Sequence, residues 1–330
     1  MKTFQSKKRL CLYLVAPIAL FVACMGLTSW AQNFPGKAIT IIVPSTAGGP
    51  SDTMTRGLAE QLSSRLKQPV VVDNVPGASG TIAAQKLLRA APDGYTLMFG
   101  ITSEVIITPL TLTSAGYATK DFTPISKVGS TPLTLVVSNA LNVKDVDQLV
   151  ALSKQRPGGL SIGVSGAAGL SAFAAAAMTK ASGINLVSIP FPGDSAIVPQ
   201  VIGGQIDVAI LAMPSALPLG RTGKLTILGL LTPERSRLAP DVPTVNESKS
   251  MKGINIEIWG GLVAPGKMPA PVVEKLNAAM QDIANDKKFL EWRIARFDSP
   301  APAAPASEFA KFLAQEEATF RTLLSGMKLQ

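Results

Sequence analysis

The 330-residue chain carries 31 Lys and Arg against 22 Asp and Glu, a formal net charge of +9, and no histidine. Its two cysteines, Cys11 and Cys24, both lie near the start. Downstream of them, Ser-His-Asp and Cys-His triads, histidine general bases and thiolate or imidazole zinc sites are therefore excluded. The composition leans toward binding rather than catalysis.

Lys2, Lys7, Lys8 and Arg9 precede an apolar stretch from Leu10 to Leu27, and Ser29 and Ala31 follow it. A basic start, an apolar middle and a small-x-small ending describe a secretory signal peptide over 1–31, cut after Ala31. The alternatives are a retained membrane anchor, since the stretch approaches the length of a span, and a lipid-modified Cys24, to which Phe21 is a poor fit. Removing the leader takes four basic residues away and leaves a mildly basic protein. No Lys/Arg run remains to suggest a nucleic-acid groove. The remainder is long enough for one large domain or two ordinary ones.

From residue 38 strands and helices alternate. "AITIIVP" reads as a buried strand, and Met54, Leu58, Leu62 and Leu66 form a helical stripe. "QPVVVDN", the turn "PGASG", the helix "TIAAQKLLRAAP" and the strand "GYTLMFG" follow. The alternation restarts near residue 131 with "TPLTLVVSN", a helix near 143–155, "GLSIGVSG" and "LSAFAAAAMTKASG". It continues through "INLVSIPF", "SAIVPQVIGG", "QIDVAILAM" and "KLTILGLLT". "IEIWGGLVAP", the helix "PAPVVEKLNAAMQDIAND" and a last helix within 306–326 complete the chain. Short loops between alternating elements argue for an α/β fold of two lobes, each a mainly parallel sheet flanked by helices. The expected lobes are 32–132 plus 253–330, and 133–252.

In such sheets ligands sit beyond the carboxyl ends of strands. Gly48 and Gly49 stand between a strand and a helix, with no lysine after them and no GxGxxG spacing. Bare N–H groups at a helix start make an anion site without any basic side chain. The competing reading is a plain turn with Asp52 as helix cap. A positive φ is expected at Gly49. The same device recurs at Ser165, Gly166 and Gly169, and again at Gly193, Asp194 and Ser195. Loops facing each other in this way imply one small carboxylate between them. Thr102 and Ser103, after the third strand, are further cleft candidates. Trp259 reads as a hinge or core residue, and Asp207 as a partner of local backbone. No cofactor and no metal is expected.

"PSTAGGPSDTMTR" (44–56), "PVVVDNVPGASGTIAA" (69–84), "APDGYTLMFG" (91–100), "GGQIDVAI" (203–210), "LLTPERS" with "PDVPTVNES", and "WGGLVAPGKMP" (259–269) occur in that order. Together they resemble the receptors of the tripartite tricarboxylate transporter family, the Bug receptors, from about residue 34 to the C-terminus. The resemblance implies a periplasmic, non-enzymatic receptor of type II-like two-lobed fold, monomeric, closing on a small organic acid. Its implied partners are integral-membrane permease subunits; the alternative is a membrane histidine kinase that senses the liganded receptor. The implied grip comes from Ser45, Thr46, Ala47, Gly48, Gly49, Ser51 and Asp52 on one side. Ser165, Gly166, Ala167, Ala168, Gly169 and Ser171 face them. The chain departs from the family at "SGAAG", where Ala168 replaces a common glycine, and at Ser171, near a frequent histidine. It departs again at "PFPG", where Phe191 and Pro192 replace a tyrosine and a basic residue. These changes point to a more apolar wall in the second lobe.

Overall fold

The computed structural model describes residues 34–324, so the leader and the Cys24 alternative lie outside the described residues. The elements are β1 (Ile39–Val43), α1 (Pro50–Leu66), β2 (Val70–Asn74), α2 (Thr81–Leu88), β3 (Thr96–Ile101) and the long β4 (Phe122–Val137). Then come α3 (Val146–Gln155), β5 (Leu160–Ser165), α4 (Leu170–Ser182), β6 (Leu186–Phe191) and α5 (Asp194–Ile202). The chain continues with β7 (Val208–Ala212), α6 (Met213–Arg221), β8 (Thr226–Leu230) and β9 (Glu257–Pro265). It ends in α7 (Ala270–Ala284), α8 (Lys287–Ile294) and α9 (Ala306–Leu324). A π-helical turn, Ser103–Ile107, follows β3.

Each lobe combines parallel and antiparallel pairing. In the first, β1 pairs with β2 and β3 in parallel, while β9 runs antiparallel to β3 and to β4 from Phe122 to Pro132. In the second, β5 pairs with β6 and β7 in parallel, and β4 from Leu133 to Val137 runs antiparallel to β7. The sheets are thus mixed rather than mainly parallel. β4 is the strand shared by the two lobes. β4 changes partners between Pro132 and Leu133, and the returning chain crosses beside it, where Ile256 N–H donates to the Leu231 carbonyl (2.8 Å).

Burial follows the period of each element. Met54, Leu58 and Leu62 of α1 pack with Ile39 and Ile41 on one face of the first sheet. Leu135, Val137, Ile162 and Phe173 belong to a larger core that runs between the lobes and includes Trp259 and Phe320. The Trp259 ring meets Phe309 and Phe312 of α9, each at 5.6 Å, and its Nε1 donates to Glu316. Phe320, farther along α9, meets Phe173 of the second lobe edge-on at 5.4 Å. The last helix therefore lies across both halves. Among the described residues, no helix is long and apolar enough to cross a membrane.

Candidate functional site

A cavity of about 360 Å³ lies between the lobes, at the carboxyl ends of β1, β3, β5 and β7. Ser45, Thr46, Gly48, Gly49 and Ser51 line it from the first lobe, with Ser103 after β3. Ser165, Ser171, Gly193, Asp194 and Ser195 line it from the second. Three strand–turn–helix loops thus converge on one space.

The first loop presents a bare helix start. Gly48 adopts φ +83°, so the positive φ falls there and not at Gly49, whose φ is −80°. The first intrahelical bond of α1 runs from Thr53 N–H to the Gly49 carbonyl (2.9 Å). The N–H groups of Ser51 and Asp52 therefore start without helical partners, at the positive end of the helix dipole. Asp52 is not the N-cap. That position is Gly49, with no side-chain cap. The Asp52 carboxylate instead accepts from Gly48 N–H (2.9 Å) and from Arg56 Nε (3.1 Å), bracing the turn from behind. Burial alone would raise its carboxyl. The Arg56, Gly48 and Asn74 donors outweigh that and hold it below the usual carboxylate range. Ser45 Oγ is buried at this wall with no hydrogen-bond partner in the protein, a group that ordinarily finds one.

The second loop is differently occupied. Ser165 N–H donates to Ser171 Oγ (2.7 Å), and Gly166 N–H to the Phe191 carbonyl (2.9 Å). Two further N–H groups are taken by the opposite lobe: Ala168 by Ser79 Oγ (3.1 Å) and Leu170 by Ser103 Oγ (3.0 Å). Thr111 Oγ1 also donates to the Ala168 carbonyl (3.1 Å). The turn "PGASG" is thus a clasp as well as a turn. Ser79 is held in a left-handed conformation (φ 51°) that presents its hydroxyl to the second lobe. Gly166 is left-handed too, at φ +81°, and a Cβ there would come within 2.8 Å of Ser79 Oγ.

The third loop reaches back. Ser195 Oγ and Thr46 Oγ1 share a hydrogen bond of 2.6 Å across the cleft. Beside it the Asp194 carboxyl accepts Ala212 N–H (2.9 Å) at the start of α6. Burial pushes this carboxyl up to about 6, against the lowering effect of the Ala212 N–H and the Ser215 hydroxyl.

Several expected residues stand off the cavity wall. Ala47 and Ala167 are exposed at their loop tips. Gly166, Ala168 and Gly169 lie on the clasp side of the second loop. Thr102 is fully buried, its Oγ1 accepting Trp259 N–H (3.0 Å). Phe191 does not make the second wall apolar. Ile210, Leu133, Pro214 and Pro218 do. Asp207 pairs with Arg156 (2.8 Å) and accepts from Ser161 N–H and Oγ, across to β5 rather than locally and away from the cavity.

Other wall residues escaped sequence reasoning. Glu104, one residue past the expected Ser103, is buried beside the cavity, and burial pushes its carboxyl up to about 8. A lone acid in the apolar run "ITSEVII" was the available signal. Ser215 lies on α6, a helix hidden by Pro214, Pro218 and Gly220. Trp292 and Arg296, from the end of α8 and the turn after it, form part of the rim with no local pattern to mark them. Among the described residues, no group of three or more acidic side chains could hold a metal ion.

The comparisons with known proteins agree with this architecture. The family described as tripartite tricarboxylate transporter family receptor matches residues 54–329. The Bordetella pertussis protein BugT is 31% identical over 307 residues, covering 92% of this chain and 94% of BugT. The Rhodopseudomonas palustris protein MatC, solved with bound malate, superposes with a TM-score of 0.83 at 27% identity, covering 88% of this chain and all of MatC. The R. palustris protein Rpa4515, solved with adipate, gives a TM-score of 0.84 at 25% identity, covering 89% of this chain and 99% of its own. The periplasmic binding protein BugD superposes with a TM-score of 0.83 at 28% identity, covering 89% of this chain and 98% of its own, and the matched family is one of receptors rather than enzymes. This chain belongs to the tripartite tricarboxylate transporter receptor family.

Proposed function

We propose that the chain is an exported receptor that captures a small organic carboxylate between its lobes and delivers it to a tripartite tricarboxylate-type permease in the membrane. The observation that carries this reading is the convergence of the first helix start and its orphaned Ser45 hydroxyl on a cavity closed from the other lobe by Ser195. Bare helix-start N–H groups hold a carboxylate without a lysine, and malate and adipate occupy the two solved relatives. In this reading the lobes are 32–132 plus 253–330, and 133–252, hinged where β4 changes partners. The leader 1–31 is removed on export to the periplasm. Ligand bound from both sides favours the closed form, and that form is what a membrane partner would recognise. Calorimetric titration of the purified chain with a panel of small mono- and dicarboxylates tests the reading. One saturable site supports it, and no heat from any carboxylate refutes it.

A further inference from the structure

The charges around the cavity do not suit a dianion. The ionisable side chains on its wall are Glu104, Asp194, Arg296 and Asp298. Asp298 is engaged by Arg293 (Nε to Oδ2, 2.6 Å). Arg296 is exposed at the rim, its guanidinium 4.1 Å from the Trp292 ring centre and donating to the Trp292 carbonyl. No lysine lines the space. The interior therefore offers a carboxylate ligand the helix-start N–H groups and hydroxyls, and confronts it with two acids of the protein's own.

Those two acids differ. Glu104 is enclosed, with one oxygen accepting Ile101 N–H (3.2 Å), and is held neutral at pH 7 by burial. Asp194 is partly accessible from the cavity. Its carboxyl is fixed in place by Ala212 N–H and the Ser215 hydroxyl, with no cationic side chain among its partners. An ionised carboxylate accepts only, and has room for about four hydrogen bonds. Buried without a counter-ion it is costly. The complement it lacks is a donor bearing positive charge.

Resting on the receptor reading above, we propose that Asp194 is a specificity-determining residue. It selects, among organic carboxylates, those that also carry an ammonium group, and it disfavours a second carboxylate at that end of the ligand. The α1 start takes the ligand's carboxylate and Asp194 takes its nitrogen. Ser195, next in the chain, ties the two walls together through Thr46. The relatives solved with malate and adipate hold dicarboxylates, so this chain would differ from them in ligand class, not in fold.

The test is calorimetry at pH 7 on the full purified chain. The probes are succinate, glutarate and adipate, each set against the α-amino and ω-amino monocarboxylates of the same carbon count. At least one amino acid should bind roughly tenfold or more tighter than its dicarboxylate counterpart, since a hydrogen bond to a charged group contributes about 1.5–3 kcal/mol. Asp194→Asn should erase or invert that preference. If this variant does not melt cooperatively, Asp194→Ser, which keeps a hydroxyl in the first turn of α5, replaces it. Dicarboxylates binding as tightly as the amino acids would overturn the inference and leave the carboxylate receptor standing. An unchanged preference in the folded variant would show that another group selects. Failure of both ligand classes to bind would remove this inference and the receptor reading together.

Discussion

At the start of α1, the turn through Gly48 is braced by its own Asp52, and the N–H groups of Ser51 and Asp52 face outward without helical partners. At the start of α4, a turn likewise built of small residues has given up Ser165, Gly166, Ala168 and Leu170 N–H to acceptors in the protein. Two of those acceptors, Ser79 and Ser103, belong to the opposite lobe. One glycine turn is left open to a ligand, and the other fastens the lobes. The lesson is that a strand–glycine–helix unit supplies donors, but its neighbours decide who receives them. Here the deciding neighbours are hydroxyls from "PGASG" and from the end of β3.

The largest effect that separates the two loops is expected from Gly49→Asp. Gly49 has an ordinary φ, and a Cβ there meets nothing closer than the Thr46 carbonyl at 3.7 Å, so the free protein should still melt cooperatively. The added carboxylate would occupy the proposed anion site. Losing two hydrogen bonds to a charged group should weaken binding by roughly a hundredfold or more, as calorimetry would read. Binding near wild-type strength would break the comparison.

Gly166→Asp should act through the clasp instead. The left-handed backbone costs a side chain about 1–2 kcal/mol, and the contact with Ser79 pushes the lobes apart. Its mark is a larger radius of gyration by solution scattering, with or without ligand. An unchanged radius together with lost binding would move Gly166 to the ligand side.

Ser79→Ala and Ser103→Ala should each be milder. Each removes one acceptor worth about 1 kcal/mol, weakening ligand binding a few-fold by destabilising the closed form. If either abolishes binding, the hydroxyl contacts ligand directly.

Glu104 gives an effect of a different kind, on stability and dependent on pH. Its folded-state carboxyl, near 8, lies above the unfolded value near 4.5. The folded protein therefore keeps a proton that the unfolded chain releases, and stability declines as pH rises through that window, by up to about 1.4 kcal/mol per unit. Glu104→Gln should flatten this part of the melting-temperature profile between pH 5 and 8, and an identical slope in the variant would contradict the burial argument. Lys267→Asp should change least. Lys267 is exposed in the turn after β9 and absent from the cavity wall, so affinity should hold within calorimetric error.

Much of the fold was legible because its elements are periodic and punctuated. "AITIIVP" and "GLSIGVSG" are strands as read, and the Met54-to-Leu66 stripe is α1. β4 is longer than "TPLTLVVSN" suggests, because Pro124 and Gly129 sit at register shifts against β9 and look like breaks in sequence. α6 and α8 were missed for local reasons: Pro214, Pro218 and Gly220 in one, and in the other a short run rich in charge. At the site, the loops could be found from strand ends, but not the partners of their N–H groups. Ser79 and Ala168 are 89 residues apart, and Thr46 and Ser195 are 149 apart. No local pattern in one chain encodes such pairings.

The most direct test of the two-loop account is a crystal structure of the chain with its tightest carboxylate from the calorimetric panel. The account predicts a ligand carboxylate oxygen within about 3 Å of helix-start N–H groups among Gly49, Ser51 and Asp52, with the Ala168 and Leu170 N–H groups still on Ser79 and Ser103. A carboxylate seated on Ala168 or Leu170, with those two serines displaced, would contradict it.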